Sequence, residues 1–319
     1  IRDREKYVGE WSVRIAAKGL HQVGIYHSNL QFVRGKSYVG YVITKAEKSA
    51  ALLQVLFDFE QEEKAQIKIE LRPETSWKKL PFRLKVPPGK EAGSPLRGSM
   101  SISLRNGTAW IGAASLMPAD NLRGFRRDVI ACLRSLGATV YRWPGGNFVS
   151  GYKWWIGIGD RDKRPPFKNP AWPGFDQNDV GIDEFMTLVH LVGAEPYVVV
   201  NAGLGTAEMA AALVEYANGA PSTRWGKIRA ENGHPEPYNI RWWGIGNEMY
   251  GQWQLGHVPL DQYVKRHRAF AEAMRAVDPD IRIIAVGSSG EWSRTMLEKA
   301  ADTMTLLSEH FYCGTYRDV

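Results

Sequence analysis

The chain has 319 residues, of which 44% are hydrophobic and 24% charged, and carries a formal net charge of +7. This is a globular composition, enough for one large domain or two smaller ones. No apolar run approaches the length of a membrane span, and the cations are scattered in small clusters such as Arg161-Asp162-Lys163-Arg164 rather than set as a stripe beside a nucleic-acid-reading motif, so neither a membrane nor a nucleic acid is expected as partner.

Residues up to about 117 read as β structure. Short alternating or β-branched runs cover Tyr38 to Thr44, Leu52 to Phe59, Ala65 to Leu71, Phe82 to Val86, Ser99 to Leu104 and Ala109 to Leu116. Arg34-Gly35-Lys36, Pro87-Pro88-Gly89 and Asn106-Gly107 break them. Many short strands at this spacing predict a β-sandwich or jelly roll over residues 1–117. From residue 118 the period changes. Val129, Leu133 and Leu136 mark a helix that ends at Gly137, and the strand Thr139 to Arg142 follows. Ile182, Phe185, Met186, Val189 and Val192 form a helical stripe stopped by Gly193. Then come a strand at Pro196 to Val200 and a helix capped by Thr206 with Met209, Leu213 and Tyr216 on its core face. A strand at Trp242 to Asn247 leads to a helix through Tyr263, His267, Phe270, Met274 and Val277. Last are a strand at Ile281 to Val286, a helix at Glu291 to Asp302 and a strand at Met304 to Tyr312.

Strands apolar on both faces that alternate with helices predict a parallel sheet. The Gly-rich dinucleotide fingerprint and the phosphate-binding loop are absent, so no nucleotide cofactor is expected and a (β/α)8 barrel is the better architecture. Five barrel-type strands in about 200 residues fall short of a whole barrel. The start Ile1-Arg2-Asp3-Arg4 is neither an initiator Met nor a signal peptide. The chain is therefore expected to be an internal fragment, with one strand before it and two after it, supplied by a complementary polypeptide segment. On that count Arg142, Asn201, Glu248 and Tyr312 end the second, third, fourth and sixth strands, on the functional face of such barrels.

The chemistry-bearing residues cluster at those tips. Trp242-Trp243-Gly244-Ile245-Gly246-Asn247-Glu248-Met249 is an apolar run that ends in Asn-Glu. Such a tip either presents an acid/base group or is an ordinary Glu meeting a cation. Arg142 precedes Trp143-Pro144-Gly145-Gly146-Asn147, a sharp turn; Arg142 is a candidate partner for a carboxylate and Asn147 for a sugar hydroxyl. Phe148 to Val180 is a long aromatic connection expected to wall a substrate cleft, with Trp154 among its sugar-contacting rings. His310 and Tyr312 share one face of the last strand, where they would touch a substrate or orient a carboxylate. A glycosidase needs a second carboxylate, and Glu195, Glu291 and Glu309 are each poorly placed: Glu195 begins its strand, Glu291 opens a helix, and Glu309 points away from His310. No His, Cys or carboxylate cluster has metal-ligand spacing, and no Gly-x-Ser-x-Gly elbow is present. Cys132 and Cys313 sit in apolar contexts and are expected to be two buried thiols. Twelve Trp lean toward a carbohydrate ligand.

Seven stretches together resemble glycoside hydrolase family 51, the α-L-arabinofuranosidases, in the multidomain form with an inserted carbohydrate-binding-like β domain. They are YRWPGGNFVSGY (Tyr141 to Tyr152), GIDEF (Gly181 to Phe185), GAEPYVVVN (Gly193 to Asn201), EMAAALVEYAN (Glu208 to Asn218), NGHPEPY (Asn232 to Tyr238), WGIGNEMYGQWQLGH (Trp243 to His257) and SEHFY (Ser308 to Tyr312). The resemblance implies a retaining hydrolase with Glu248 as general acid/base, Asn247 as its hydroxyl-binding neighbour, Arg142 and Asn147 as substrate or carboxylate contacts, and His310 and Tyr312 near a nucleophile that lies outside this chain. It further implies an arabinose-containing polysaccharide or oligosaccharide as partner, no cofactor and no metal, and a Glu248 pKa raised to protonate a leaving group. Endo-β-1,4-glucanase or xylan- and xyloglucan-active chemistry is the alternative within the family, and non-catalytic carbohydrate binding is the alternative outside it. Localisation and assembly into a homo-oligomer stay open.

Overall fold

In the computed structural model, residues 1–19, 21–48, 51–60, 66–89 and 91–312 are described. They form two compact units, Ile1–Ile130 and Ala131–Val319.

The first unit is all β. Its strands are β1 (Arg2–Asp3), β2 (Ser12–Ala17), β3 (Val23–Val33), β4 (Ser37–Ala46), β5 (Leu53–Phe59), β6 (Gln66–Leu71), β7 (Lys78–Lys85), β8 (Pro95–Leu104) and β9 (Gly107–Pro118). They make a five-stranded sheet in the order β1-β2-β9-β4-β7 and a four-stranded sheet in the order β3-β8-β5-β6, both antiparallel. Strand β5 shows why the layers close on one another: Leu53, Val55, Phe57 and Phe59 are buried at every second position, and Asp58 faces out. These residues share one core with Val42 and Ile15 of the other sheet. The breaks at Gly35 and Gly107 are turns with φ of 75° and 92°, conformations that glycine adopts without penalty. Strands β1, β2 and β3 lie outside the sequence-based set. Strand β3 is an edge strand, largely exposed, and its register slips between His27 and Leu30 around Asn29 at φ 59°, so its hydrophobic period is broken where a pattern would have shown it.

The second unit alternates helices and parallel strands: α1 (Arg127–Ser135, shared with the first unit), β10 (Val140–Trp143), α2 (Ile182–Val192), β11 (Glu195–Val200), α3 (Ala207–Asn218), α4 (Arg224–Glu231), β12 (Trp242–Ile245), α5 (Leu260–Val277), β13 (Arg282–Val286), α6 (Glu291–Ala300) and β14 (Leu306–Ser308). Each strand pairs parallel with the next, in sequential order β10-β11-β12-β13-β14. Register decides what each face carries. Trp143, Val198, Trp243 and Ile283 lie side by side and pack into the helical core with Phe185, Leu213, Phe270 and Met274. Their neighbours Arg142, Tyr197 and Trp242 line the opposite face.

The stripe of α2 is buried at Ile182, Phe185, Met186 and Val189 and ends at Gly193 in the left-handed region. Thr206 caps α3 by accepting from the Met209 N–H. Other expected core positions are open: Val129, Leu136, Met209 and Val277 are exposed, and on α1 the buried residue is Ile130. Cys132, expected to be buried, is exposed on α1, while Cys313 lies outside the described residues. Helix α4 shows no apolar stripe because a cation anchors it. The fully buried Arg229 donates to the carbonyls of Tyr216, Ala217 and Gly219 at the C-terminus of α3, and to those of His234 and Pro235, where the helix dipole favours positive charge.

Candidate active site

The C-terminal ends of β10 to β14 bring together most of the chemistry-bearing residues. Strand β12 stops at Ile245 and the chain turns twice through positive φ, at Gly246 (84°) and at Glu248 (42°). A non-glycine residue in the left-handed region is strained and persists only where its surroundings over-determine it. Here they do. The Glu248 carbonyl accepts from the Gly251 N–H, and the Glu248 side chain is held at both oxygens. The indole N–H of Trp253 donates to Oε2 at 2.7 Å. On Oε1, the Tyr312 hydroxyl donates at 3.0 Å and His310 Nδ1 lies at 2.7 Å.

The charge of this carboxyl follows from those contacts. Burial acts to raise its pKa, but the bonds from His310, Trp253 and Tyr312 outweigh burial and hold it below the ordinary carboxylate value. The raised pKa expected from the sequence is therefore reversed in this structure: the site stabilises the ionised form. The Tyr312 hydroxyl is pushed the other way, chiefly by its bond to that carboxylate.

Beside Glu248, the buried Asn247 is locked in a polar chain. Its Oδ1 accepts from Arg142 at 2.6 Å, its Nδ2 donates to Gln254 Oε1 at 3.0 Å, and Gln254 Nε2 donates to Ser150 Oγ at 2.6 Å. Arg142 also lies over the ring of Tyr197. Gly244 makes room for that ring, since a Cβ there would fall 2.6 Å from the Tyr197 hydroxyl. Arg142 thus orients the neighbour of the carboxylate and does not pair with Glu248 directly.

Two other residues singled out from the sequence sit differently. Both ends of the Asn147 amide engage backbone: Nδ2 donates to the Trp253 carbonyl at 2.7 Å, and Oδ1 accepts from the Leu255 N–H at 2.8 Å. Trp154 lies beside the end of β11, lining a small cavity with Val200 and Asn201, and makes no contact with Glu248 among the described bonds. It is buried (6% exposed), packs against Trp225, Trp155 and Tyr216, and donates its indole N–H to the Met209 carbonyl; its bulk fills the core under the long connection. The exposed aromatics of that connection are Trp172 and Phe175. Conversely, Trp253, Gln254 and Ser150 were not read as individual contributors, although all three fall inside motifs quoted above. The other acids make no hydrogen bond to Glu248 or its three donors among the described residues: Glu195 begins β11, Glu291 opens α6, and Glu309, beside His310 in the chain, bonds Ser293. No group of three or more metal-ligating side chains occurs among the described residues.

A family model described as the alpha-L-arabinofuranosidase 1 domain matches residues 132–317, more than half of the chain. The chain belongs to this family, within glycoside hydrolase family 51. Among relatives, the probable alpha-L-arabinofuranosidase C of Aspergillus fumigatus is 41% identical over 173 residues, 54% of this chain and 34% of that protein. The intracellular exo-alpha-(1->5)-L-arabinofuranosidase of Bifidobacterium longum is 41% identical over 204 residues, 61% of this chain and 36% of that protein. Among solved structures, the alpha-L-arabinofuranosidase of Thermotoga maritima in an arabinose complex is 42% identical with a TM-score of 0.59, covering 61% of this chain and 41% of its own. The family 51 arabinofuranosidase of Thermotoga petrophila is 42% identical with a TM-score of 0.61, covering 63% and 43%. The chain thus spans between a third and a half of the length of these relatives.

Proposed function

We propose that this protein is a retaining glycoside hydrolase that releases α-L-arabinofuranosyl residues from oligosaccharides or polysaccharides, with Glu248 as general acid/base. The observation that carries this reading is a carboxylate at the tip of a central parallel strand, held at both oxygens by three side chains, with Asn247 locked beside it. The names of the relatives support the sugar. In the first step Glu248 protonates the glycosidic oxygen while a second carboxylate attacks the anomeric carbon. In the second step Glu248, now ionised, takes a proton from the water that hydrolyses the glycosyl-enzyme.

The two steps need opposite charge states of one group. The free site favours the anion, which suits the second step. A second carboxylate arriving about 5 Å away would repel that charge and raise the pKa for the first. We place that partner on a complementary segment that pairs with the outer edges of β10 and β14, which carry no neighbour among the described residues, and that closes the five strands into a (β/α)8 barrel. Sequential parallel order is the order such a barrel uses. Asn247 would bind the hydroxyl next to the reacting carbon, with Arg142 holding it. His310 and Tyr312 would orient Glu248.

Azide chemistry tests the role directly. With Glu248→Ala, assayed together with the complementary segment that carries the second carboxylate, and an aryl arabinofuranoside whose leaving group needs no protonation, azide should intercept the glycosyl-enzyme and give an arabinofuranosyl azide of retained configuration. Ordinary hydrolysis that azide neither accelerates nor diverts would sink the assignment.

A further inference from the structure

Two residues in this cluster hold each other rather than a ligand. The loop after Glu248 folds back on itself: Gln254 N–H reaches the Gly251 carbonyl and Val258 N–H the Met249 carbonyl. At its crest the Trp253 ring lies over Gly251, where a Cβ would run into the indole, and edge-on to Tyr250 at 6.1 Å. Trp253 is 64% exposed, so packing alone fixes it poorly. What fixes its backbone is the Asn147 side chain, from the turn after β10, bonded to the carbonyl of Trp253 and the N–H of Leu255. One end of this unit is Asn147, the other is the 2.7 Å bond from the indole to Glu248.

We propose that Asn147 and Trp253 are paired positioning residues: the Asn147 amide pins the loop crest, and the pinned crest aims the Trp253 N–H at Oε2 of Glu248. This rests on the reading of Glu248 as acid/base and reassigns Asn147 from sugar contact to anchor. The consequence is chemical. An indole N–H donates and never accepts, so its bond to Oε2 favours the ionised carboxyl over the protonated one. Oε1 already faces His310 and Tyr312. The Asn147 clamp, by keeping the indole on Oε2, thus helps hold Glu248 toward its ionised form. The titratable and charged groups around Glu248 are His310, Tyr312, Tyr250 with Glu309 behind it, and Arg142 across Asn247; neither Asn147 nor Trp253 adds a charge, so their removal acts through hydrogen bonding alone.

The experiment is an NMR titration of the whole chain, following the indole N–H resonance of Trp253, assigned by its loss in Trp253→Phe, together with the Glu248 carboxyl, assigned by its loss in Glu248→Gln. In the unaltered protein the indole resonance should move with the Glu248 titration, and in Glu248→Gln it should stay put across that range. Asn147→Ala should shift it toward a free indole and move the Glu248 midpoint upward, in the same direction as Trp253→Phe. Asn147→Ser, which adds no charge and is too short to hold both backbone groups, should do the same and serves if the alanine variant does not fold. An unchanged indole resonance in a folded Asn147 variant, or an unchanged Glu248 midpoint in Trp253→Phe, would overturn the proposal. Because none of these readouts is turnover, shifts as expected alongside a failed azide test would support the positioning pair while removing the acid/base reading.

Discussion

Two carboxylates of the parallel-sheet unit expose little surface and each accepts from more than one side chain, yet they carry opposite electrostatics, because Asp183 lies much deeper in the protein than Glu248. Asp183, in the first turn of α2, accepts from the hydroxyls of Tyr216 and Tyr238, and Asn232 in turn donates to Tyr216. Burial dominates there, and the pKa is raised despite those bonds. Glu248, at the tip of β12, is held by His310, Trp253 and Tyr312 and its pKa is lowered. Of the Asp183 donors, Tyr216 on α3 belongs to the helical core and Tyr238, in the loop before β12, is half-buried against it. The Glu248 donors include Trp253 and Tyr312, which are largely exposed, and its backbone is strained. A carboxylate whose holders face solvent can exchange them for a ligand. One whose holders are core residues cannot do so without unpacking the fold. Burial alone therefore does not mark a functional acid; the exposure of its partners does.

The largest effect expected from this contrast is on turnover. With the complementary segment present, Glu248→Gln should slow the proposed release of arabinofuranose from oligosaccharides by about 10^2–10^4-fold, while urea unfolding of the chain shifts by less than about 1 kcal/mol, the scale of one hydrogen bond. A variant that unfolds instead would give Glu248 the same structural job as Asp183. Asp183→Ala should do the reverse. It leaves two tyrosine hydroxyls without their acceptor and should lower stability by about 3 kcal/mol, with kcat per folded molecule unchanged.

His267 on α5 sharpens the point, since it is fully buried and neither ring nitrogen has a hydrogen-bond partner among the described residues. Burial, helped by Arg275 and Arg268, lowers its pKa to about 4, below the ordinary 6.5. The unfolded chain then takes up the proton first. Stability from the neutral ring is fully present above about pH 6.5 and is lost as pH falls toward 4, by about 3 kcal/mol for a shift of this size. Urea unfolding of the unaltered chain and His267→Leu at pH 7 and pH 4.5 should show that loss in the first and not in the second. Smallest is the effect of Trp154→Phe, which removes a buried indole N–H donated to Met209 and should reduce stability by about 1–2 kcal/mol with KM unchanged. A raised KM would return Trp154 to the substrate cleft.

Much of the architecture was legible in the residues because strands and helices announce themselves locally. The α2 stripe, the Gly193 stop and the Thr206 cap lie where short-range periodicity and capping chemistry put them. Strand β3 and helix α4 were not legible, one because an edge strand with a slipped register has no clean alternation, the other because a buried Arg229 rather than an apolar stripe anchors it.

The residues by themselves determined that Asn247 and Glu248 follow directly on a buried strand, since an apolar run that stops at a polar pair after glycine has few other readings. Only the tertiary structure decided what those side chains meet. His310 reaches Glu248 across 62 positions and Leu255 reaches Asn147 across 108, so nothing in a local window sets these bonds. Whether Glu248 is ionised, whether Asn147 binds sugar or backbone, and whether Trp154 is a platform or core all turn on such distant meetings. Their outcome depends on the register of parallel strands and on which ring nitrogens, hydroxyls and amides that register delivers to one point in space.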